Sequence, residues 1–299
     1  MECAMHAGAD ELSREGPSPM PAAALFKSSI PLNSIMLRLR TLLIPDIHQN
    51  YGFLESILER EPLDSFERIV LLGDYFDGRE PTHRGPDAAR KTARLINQLE
   101  VKVGSRLTLL WGNHDVPYYL YQCANGRGGA DHSEFRRLRR QMGLAPESQA
   151  TAEAICEEWP LSFWGKLRPF VRINRFVVSH AGIHLSLYPS KARSVAQALE
   201  ILGKQWSEDF IKLRSGGIPG PLMDAGTVRG GERFEVGGVT WLDWEQEFED
   251  DLPFGQIVGH SWCVSQREIG RSHCIDFGQC AYAMIDTNLV VRHILGGSS

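Results

Sequence analysis

The nine residues Leu107-Thr-Leu-Leu-Trp-Gly-Asn-His-Asp115 decide how this chain is read. An apolar run of strand length stops at a glycine and gives way to Asn, His and Asp, side chains that bind metals and move protons. Working outward, the pattern recurs at Leu42-Leu-Ile-Pro-Asp46-Ile-His48, Ile69-Val-Leu-Leu-Gly-Asp74, Phe176-Val-Val-Ser-His180 and Gln256-Ile-Val-Gly-His260. Each run is a buried-strand signature that ends in polar chemistry. In an open α/β sheet the ligand crevice lies beyond the carboxyl ends of the strands, so residues directly following such runs are the ones brought together.

Helical periodicity fills the intervals. Between Tyr51 and Glu61, Phe53, Leu54, Ile57 and Leu58 fall on one face and Pro62 closes the helix. After a strand at Arg68 to Leu72, a helix from about Asp87 to Glu100 carries Ala89, Ala93, Leu95, Ile96 and Leu99, and leads into the strand at 106–111. This alternation predicts parallel strands with helices on the faces, an α/β fold. Val116 to Pro169 reads as a helical cap or insertion (at about 116–169), with helices at Tyr118–Cys123, Ser133–Met142 and Thr151–Trp159. Strands resume at 168–179, and Ser194 to Leu213 forms a long helix. The glycine-rich stretch from Gly216 to Gly238 lacks the Gly-Lys-Ser or Gly-Lys-Thr ending of a phosphate loop, so it is expected to be a mobile loop and not a nucleotide cradle. The last third holds short strands, with a hairpin of Ala283–Asp286 and Leu289–Ile294 around Thr287-Asn288.

The chain has 299 residues, 42% hydrophobic and 23% charged, with a net charge of −5. This balance describes a soluble globular protein without the basic surplus of a nucleic-acid binder. The run Arg136-Arg-Leu-Arg-Arg140 is read as a solvated helix face. Six cysteines (Cys3, Cys123, Cys156, Cys263, Cys274, Cys280) form no Cys-x-x-Cys pair, which points to reduced thiols in a cytoplasmic protein. No window approaches the roughly 18 consecutive apolar residues of a membrane span. Residues 1–35, broken by Pro17, Pro19, Pro21 and Pro31, read as a disordered leader, with Met36 a candidate start and one main domain over 36–299.

The strand-end residues Asp46, His48, Asp74, Asn113, His180 and His260 provide two carboxylates, three imidazoles and an amide oxygen. Such a set suits Mn, Fe or Zn, and six donors suffice for two divalent or trivalent ions sharing one carboxylate. Two ions about 3.5 to 4 Å apart clamp a phosphoryl group and activate water, which makes phosphoester hydrolysis the expected chemistry. His114, next to Asn113, is placed to act as general acid, with Asp77 to orient it. Asp115 is expected to begin the next helix, where a carboxylate suits the dipole. His83, His132, His184, His273 and His293 lack strand-end context and read as ordinary surface or core residues, and His6 lies in the leader.

Taken in order, Asp46-Ile-His48, Gly73-Asp74, Gly112-Asn-His-Asp115, Ser179-His-Ala-Gly182 and Gly259-His260 resemble the calcineurin-like metallophosphoesterase superfamily, over about residues 38–295. Gly73-Asp74-Tyr-Phe-Asp77-Gly-Arg79 is similar to the Gly-Asp-x-Val-Asp-Arg-Gly element of the phosphoprotein phosphatase branch, which includes bacterial serine/threonine phosphatases and diadenosine tetraphosphatases. Trp159-Pro-Leu161 and Val239-Thr-Trp241 fall where that branch has similar segments. The resemblance implies a two-sheet sandwich flanked by helices. It implies that Asp46 and His48 bind one ion, that Asn113, His180 and His260 bind the other, and that Asp74 bridges them. It also implies His114 as acid with Asp77. Trp262 stands where many superfamily members carry a last histidine ligand, which the phosphatase branch also lacks. Gly78 stands where the branch has an arginine, with Arg79 displaced by one, and Asp243 stands where bacterial members carry a second. Arg79, Arg84, Arg229 and Arg233 are the candidates to take over phosphate binding. The substrate is a phosphoprotein or, alternatively, a nucleotide or dinucleoside polyphosphate. A non-catalytic phospho-ligand binding protein that kept the fold is the reading from a different class.

Overall fold

Thr41–Ile44 (β1) is buried along its whole length, as four consecutive apolar or β-branched residues require when helices cover one face of a sheet and a second sheet covers the other. The computed structural model describes residues 40–125, 132–262, 267–287 and 289–295. The expected leader, the Met36 start, Cys3, His6 and Cys263 lie outside these residues. From β1 the chain enters α1 (Tyr51–Arg60), capped by the Asn50 side chain, which accepts from the Phe53 N–H at 3.0 Å. β2 (Arg68–Leu71), α2 (Pro86–Val103) and β3 (Leu107–Leu109) follow, and β1, β2 and β3 pair in parallel. Helix α2 runs three residues beyond the expected Glu100, because Val103 continues its buried stripe and Gly104 ends it with φ +59°.

Four helices come next: α3 (Asp115–Asn125), α4 (His132–Met142), α5 (Gln149–Glu158) and α6 (Leu161–Trp164). Helices α5 and α6 join the layer formed by α2, where the Trp159 indole donates to the Ala93 carbonyl at 3.3 Å and stacks on Phe163 with ring centroids 4.3 Å apart. β4 (Phe170–Ile173), β5 (Phe176–Ser179), α7 (Val195–Arg214), β6 (Gly255–Val258), β7 (Glu268–Ile269), β8 (Ser272–Cys274), β9 (Ala281–Asp286) and β10 (Leu289–Ile294) complete the order. The two sheets have orders β10-β9-β1-β2-β3 and β4-β5-β6-β8-β7. The expected hairpin forms, with Leu289 opposite Asp286.

Alternation along the strands sends successive apolar residues to opposite faces, into the two larger of three buried clusters. Leu43, Val70, Leu72, Val178 and Ile257 meet between the sheets. Leu42, Ile44, Ile69, Leu71 and Val177 face the helices. The expected two-sheet sandwich flanked by helices is therefore the fold.

The expectation of a mobile loop at Gly216–Gly238 is corrected. Leu222, Met223 and Asp224 are buried, and the segment is tied down by Val239 N–H to Leu222 O and Gly238 N–H to Asp224 O, each 2.9 Å. Glycine and proline content signalled the absence of helix and strand, not the absence of packing. Among the described residues no helix is long and apolar enough to cross a membrane.

Candidate metal centre

The carboxyl ends of β1, β2, β5 and β6, and the segment following β3, converge, and backbone bonds lock their loops together. The Asp74 carbonyl accepts from the His48 N–H at 2.7 Å, the Asp46 carboxylate from the His260 N–H at 3.0 Å, and the His180 carbonyl from the Gly259 N–H at 2.7 Å. The loops after β2 and β3 touch so closely that a Cβ on Gly112 would lie 2.1 Å from the Asp74 nitrogen, so no other residue fits there without moving the ligand loop. His48, Asp74, Asp77 and His260 all have positive φ, from 46° to 64°, the concentration of costly backbone found where geometry is imposed by surroundings.

Asp115 does more than begin α3. Its buried carboxylate accepts three backbone N–H groups, from Gly112, Asp74 and Tyr75, each at 2.9 Å, and so clamps the β2 and β3 loops into one unit. Sequence spacing offered the helix-dipole reading because the donors at 74 and 75 are remote in the chain. Asp115→Ala strands buried N–H groups at about 1 to 3 kcal/mol each. A loss of about 3 kcal/mol or more is expected in urea denaturation, with an unchanged slope, and a loss below 1 kcal/mol would contradict the clamp.

All six predicted ligands are at most 9% exposed. The donor atoms of five of them form two groups, Asp46–His48–Asp74 and Asp74–His180–His260, each within 4.8 Å, and Asp74 belongs to both. Asp74 Oδ2 lies 3.4 Å from both His48 Nε2 and His180 Nε2, and Asn113 Oδ1 lies 2.9 Å from His180 Nε2. His48 Nδ1 donates to the Asp77 carbonyl at 2.8 Å and His180 Nδ1 to the Leu72 carbonyl at 2.9 Å, which turns both Nε2 atoms toward the carboxylates.

Burial works against charge on Asp74, but His180, His114 and His48 overcome it and hold the carboxyl well below its ordinary value. Asp46 is likewise lowered against burial, by His180, His48 and Arg79, despite the charge of Asp74. Burial, reinforced by the charges of His180 and Arg229, keeps His260 well below the ordinary imidazole value and therefore neutral. His260 Nε2 is buried with no hydrogen-bond partner among the described residues. An unsatisfied imidazole nitrogen beside ionised carboxylates is what a divalent cation completes, so the residues fit two ions.

His114 Nδ1 bonds Asp77 Oδ2 at 2.8 Å, and its amide N–H donates to Asp74 Oδ1 at 3.0 Å. Asp77 also accepts from the Tyr118 hydroxyl, which in turn accepts from the Glu147 N–H at 3.0 Å. Tyr118 is a residue that sequence reasoning missed: its only signal was its position one helical turn after His114. Burial disfavours the charged imidazole of His114, but Asp74, Asp77 and Asp115 together raise it to about 9.

The arginines divide. His48, Asp74, Asn113, His114, Arg79, Arg84 and Arg229 line one cavity of about 530 Å³, whereas Arg233 lies outside it, paired with Asp224 at 2.7 Å through Nε. Arg79 forks onto the buried Asp276 at 2.8 and 3.3 Å and reaches Asp46 at 3.3 Å. Gly78 explains its displacement: a Cβ there would sit 2.2 Å from the His83 carbonyl oxygen, where the chain folds back and Arg84 Nε bonds the Gly78 carbonyl. Arg229 pairs with Asp243 at 2.8 Å and with Ser261 Oγ at 2.9 Å, so Asp243 anchors an arginine in the cavity wall. Trp262 is 64% exposed at the cavity mouth, over Gly278. The histidines His83, His184, His273 and His293 do not line the cavity.

The family model for calcineurin-like phosphoesterases matches residues 39–263. The chain belongs to that family. No curated protein matches this calcineurin-like phosphoesterase. Among solved structures it is similar to a cold-active protein-tyrosine phosphatase of a psychrophilic Shewanella species, with 16% identity over 85% of this chain and 77% of that one and a TM-score of 0.49. A metallophosphoesterase from Sphaerobacter thermophilus shares 15% identity over 87% and 89% of the two chains, with a TM-score of 0.40. A hypothetical protein from Pyrococcus horikoshii shares 12% identity over 86% and 87%, with a TM-score of 0.43.

Proposed function

We propose that this chain is a two-metal phosphoesterase of the phosphoprotein phosphatase type, a hydrolase in which Asp46, His48, Asp74, Asn113, His180 and His260 hold the ions. The observation that carries this reading is Asp74, shared by two buried carboxylate–imidazole groups and hydrogen-bonded to the backbone of His114. Two bound ions, Mn, Fe or Zn, would supply the Lewis acidity that brings water toward ionisation at neutral pH and the positive charge that offsets the phosphoryl oxygens.

The chain's own groups supply the rest. Hydrolysis adds water oxygen to phosphorus and breaks the bond to the ester oxygen, which leaves with developing negative charge. His114 is held by Asp77 through Nδ1, so Nε2 is the nitrogen left to deliver a proton to that oxygen. Asp77, fixed by Tyr118, keeps the ring oriented and favours its charged form. Tyr118 is thus a positioning residue. Tyr118→Phe is expected to lower kcat about tenfold, the low end for loss of an orienting partner, with metal content unchanged. Loss of metal alongside activity would assign Tyr118 a structural role instead.

Purified protein loaded with Mn should contain about two ions per chain and hydrolyse an aryl phosphate. Fewer than one ion per chain with phosphopeptide binding but no turnover would favour the non-catalytic reading. A nucleotide or dinucleoside polyphosphate substrate is the second reading, supported by Trp262, an exposed aromatic face at the cavity mouth. A panel of phosphopeptides, nucleotides and dinucleoside polyphosphates separates the two. A cytoplasmic setting belongs to the same proposal, supported by Cys123, Cys156, Cys274 and Cys280, which form no disulfide among the described residues.

A further inference from the structure

A second cavity, of about 510 Å³, shares Arg229 and Trp241 with the cavity over the metal centre. Both volumes fall in the range that holds small ligands. Four guanidinium groups line the second cavity, Arg139, Arg140, Arg229 and Arg233, against two carboxylates, Asp224 and Glu232. Arg229 is taken by Asp243 and Arg233 by Asp224. Arg139 and Arg140, in the last turn of α4, are exposed and have no ion pair or side-chain hydrogen bond among the described residues.

A basic residue in a last helical turn complements the helix dipole, and that would account for either arginine alone. It does not account for both lining a cavity that already contains Arg233 and opens beside a phosphoester site. In a chain of net charge −5 this is a local cationic surplus, and guanidinium forks bind phosphate oxygens with charge-assisted hydrogen bonds. Arg136, exposed on the same helix, does not line the cavity.

We propose that this second cavity is an anion subsite that takes a phosphate group of the substrate other than the one hydrolysed, with Arg139 and Arg140 as its ligands. The substrate class is then a small molecule carrying two or more phosphates. This inference rests on the phosphoesterase reading above.

A series of α,ω-alkanediol bisphosphates of increasing chain length, compared with butyl phosphate, tests it on the Mn-loaded full chain. At one length kcat/KM should exceed that of butyl phosphate by about tenfold or more, the gain expected of one charge-assisted hydrogen bond. The double variant Arg139→Gln/Arg140→Gln should lose this advantage while butyl phosphate kinetics stay within about twofold of wild type. No advantage at any length, an advantage that survives in the double variant, or an equal loss for butyl phosphate overturns the subsite. A doubly phosphorylated peptide showing the advantage while no diol does overturns the small-molecule class.

If wild type hydrolyses none of these esters, it is the phosphoesterase reading that fails. The subsite is then read by calorimetric titration of the chelator-treated full chain with the bisphosphates. Wild type should bind one of them about tenfold tighter than the double variant, as expected from the same hydrogen-bond term, and equal binding overturns the subsite.

Discussion

Asp74→Asn is expected to leave at most one ion per chain and to lower turnover on the order of 10³-fold or more. Removing one preorganised group that stabilises a transition state costs about 10² to 10³, and here the loss would also disassemble the proposed two-ion arrangement. Asp74 is the residue to test because its Oδ2 lies 3.4 Å from imidazoles of both donor groups, and among the described residues it alone belongs to both. A second readout is independent of activity. Ions that bind only the folded chain stabilise it by about 2.7 kcal/mol at a concentration of 100 Kd. Wild type should therefore gain thermal stability on Mn addition and the variant should gain much less. Two ions per chain in Asp74→Asn, with an undiminished thermal shift, would remove Asp74 from the bridging position.

His114→Asn is expected to keep both ions and lose about 10² to 10⁴ in kcat, the usual worth of a positioned general acid. The loss should depend on the leaving group. An alkyl ester departs as a strongly basic alkoxide and needs the proton, whereas a nitrophenolate leaves readily without it. Activity toward butyl phosphate should thus collapse while activity toward p-nitrophenyl phosphate falls far less. Equal losses on both esters would mean that His114 stabilises or orients and does not donate. Asp77→Asn should show the same pattern at smaller amplitude, because Asp77 acts only through the ring that its carboxylate holds at 2.8 Å.

The six candidate donors were legible as a converging set because their signal is local. An apolar run marks a strand, and the residue after it is delivered to the carboxyl edge of a sheet wherever that sheet lies in the fold. Gly112 was legible as the glycine that ends its apolar run, and the fold shows the close approach to Asp74 that it permits. His114 and Asp77 were found through their nearness to those donors. The pairings around them were not legible. Arg79 meets Asp276 across 197 positions of chain, and Tyr118 meets Asp77 across 41. No periodicity links such residues.

The arginines offered for phosphate binding show the same division. Sequence offered Arg79, Arg84, Arg229 and Arg233 as equals. The folded chain gives Arg79 to Asp276 and Asp46, Arg229 to Asp243 in the shared wall, and Arg233 to Asp224 in the neighbouring cavity. Asp115 followed the same logic, a first-turn carboxylate by sequence and a clamp on two loops in space.

By itself, then, the sequence pointed to parallel strands with flanking helices and to the candidate donor set, because strand periodicity and strand ends are properties of neighbouring residues, whereas the two-sheet sandwich came from the family resemblance that those motifs carry. Only the tertiary structure decided what each remaining carboxylate and guanidinium binds, because that choice depends on which groups, remote in the chain, folding brings within about 3 Å of one another.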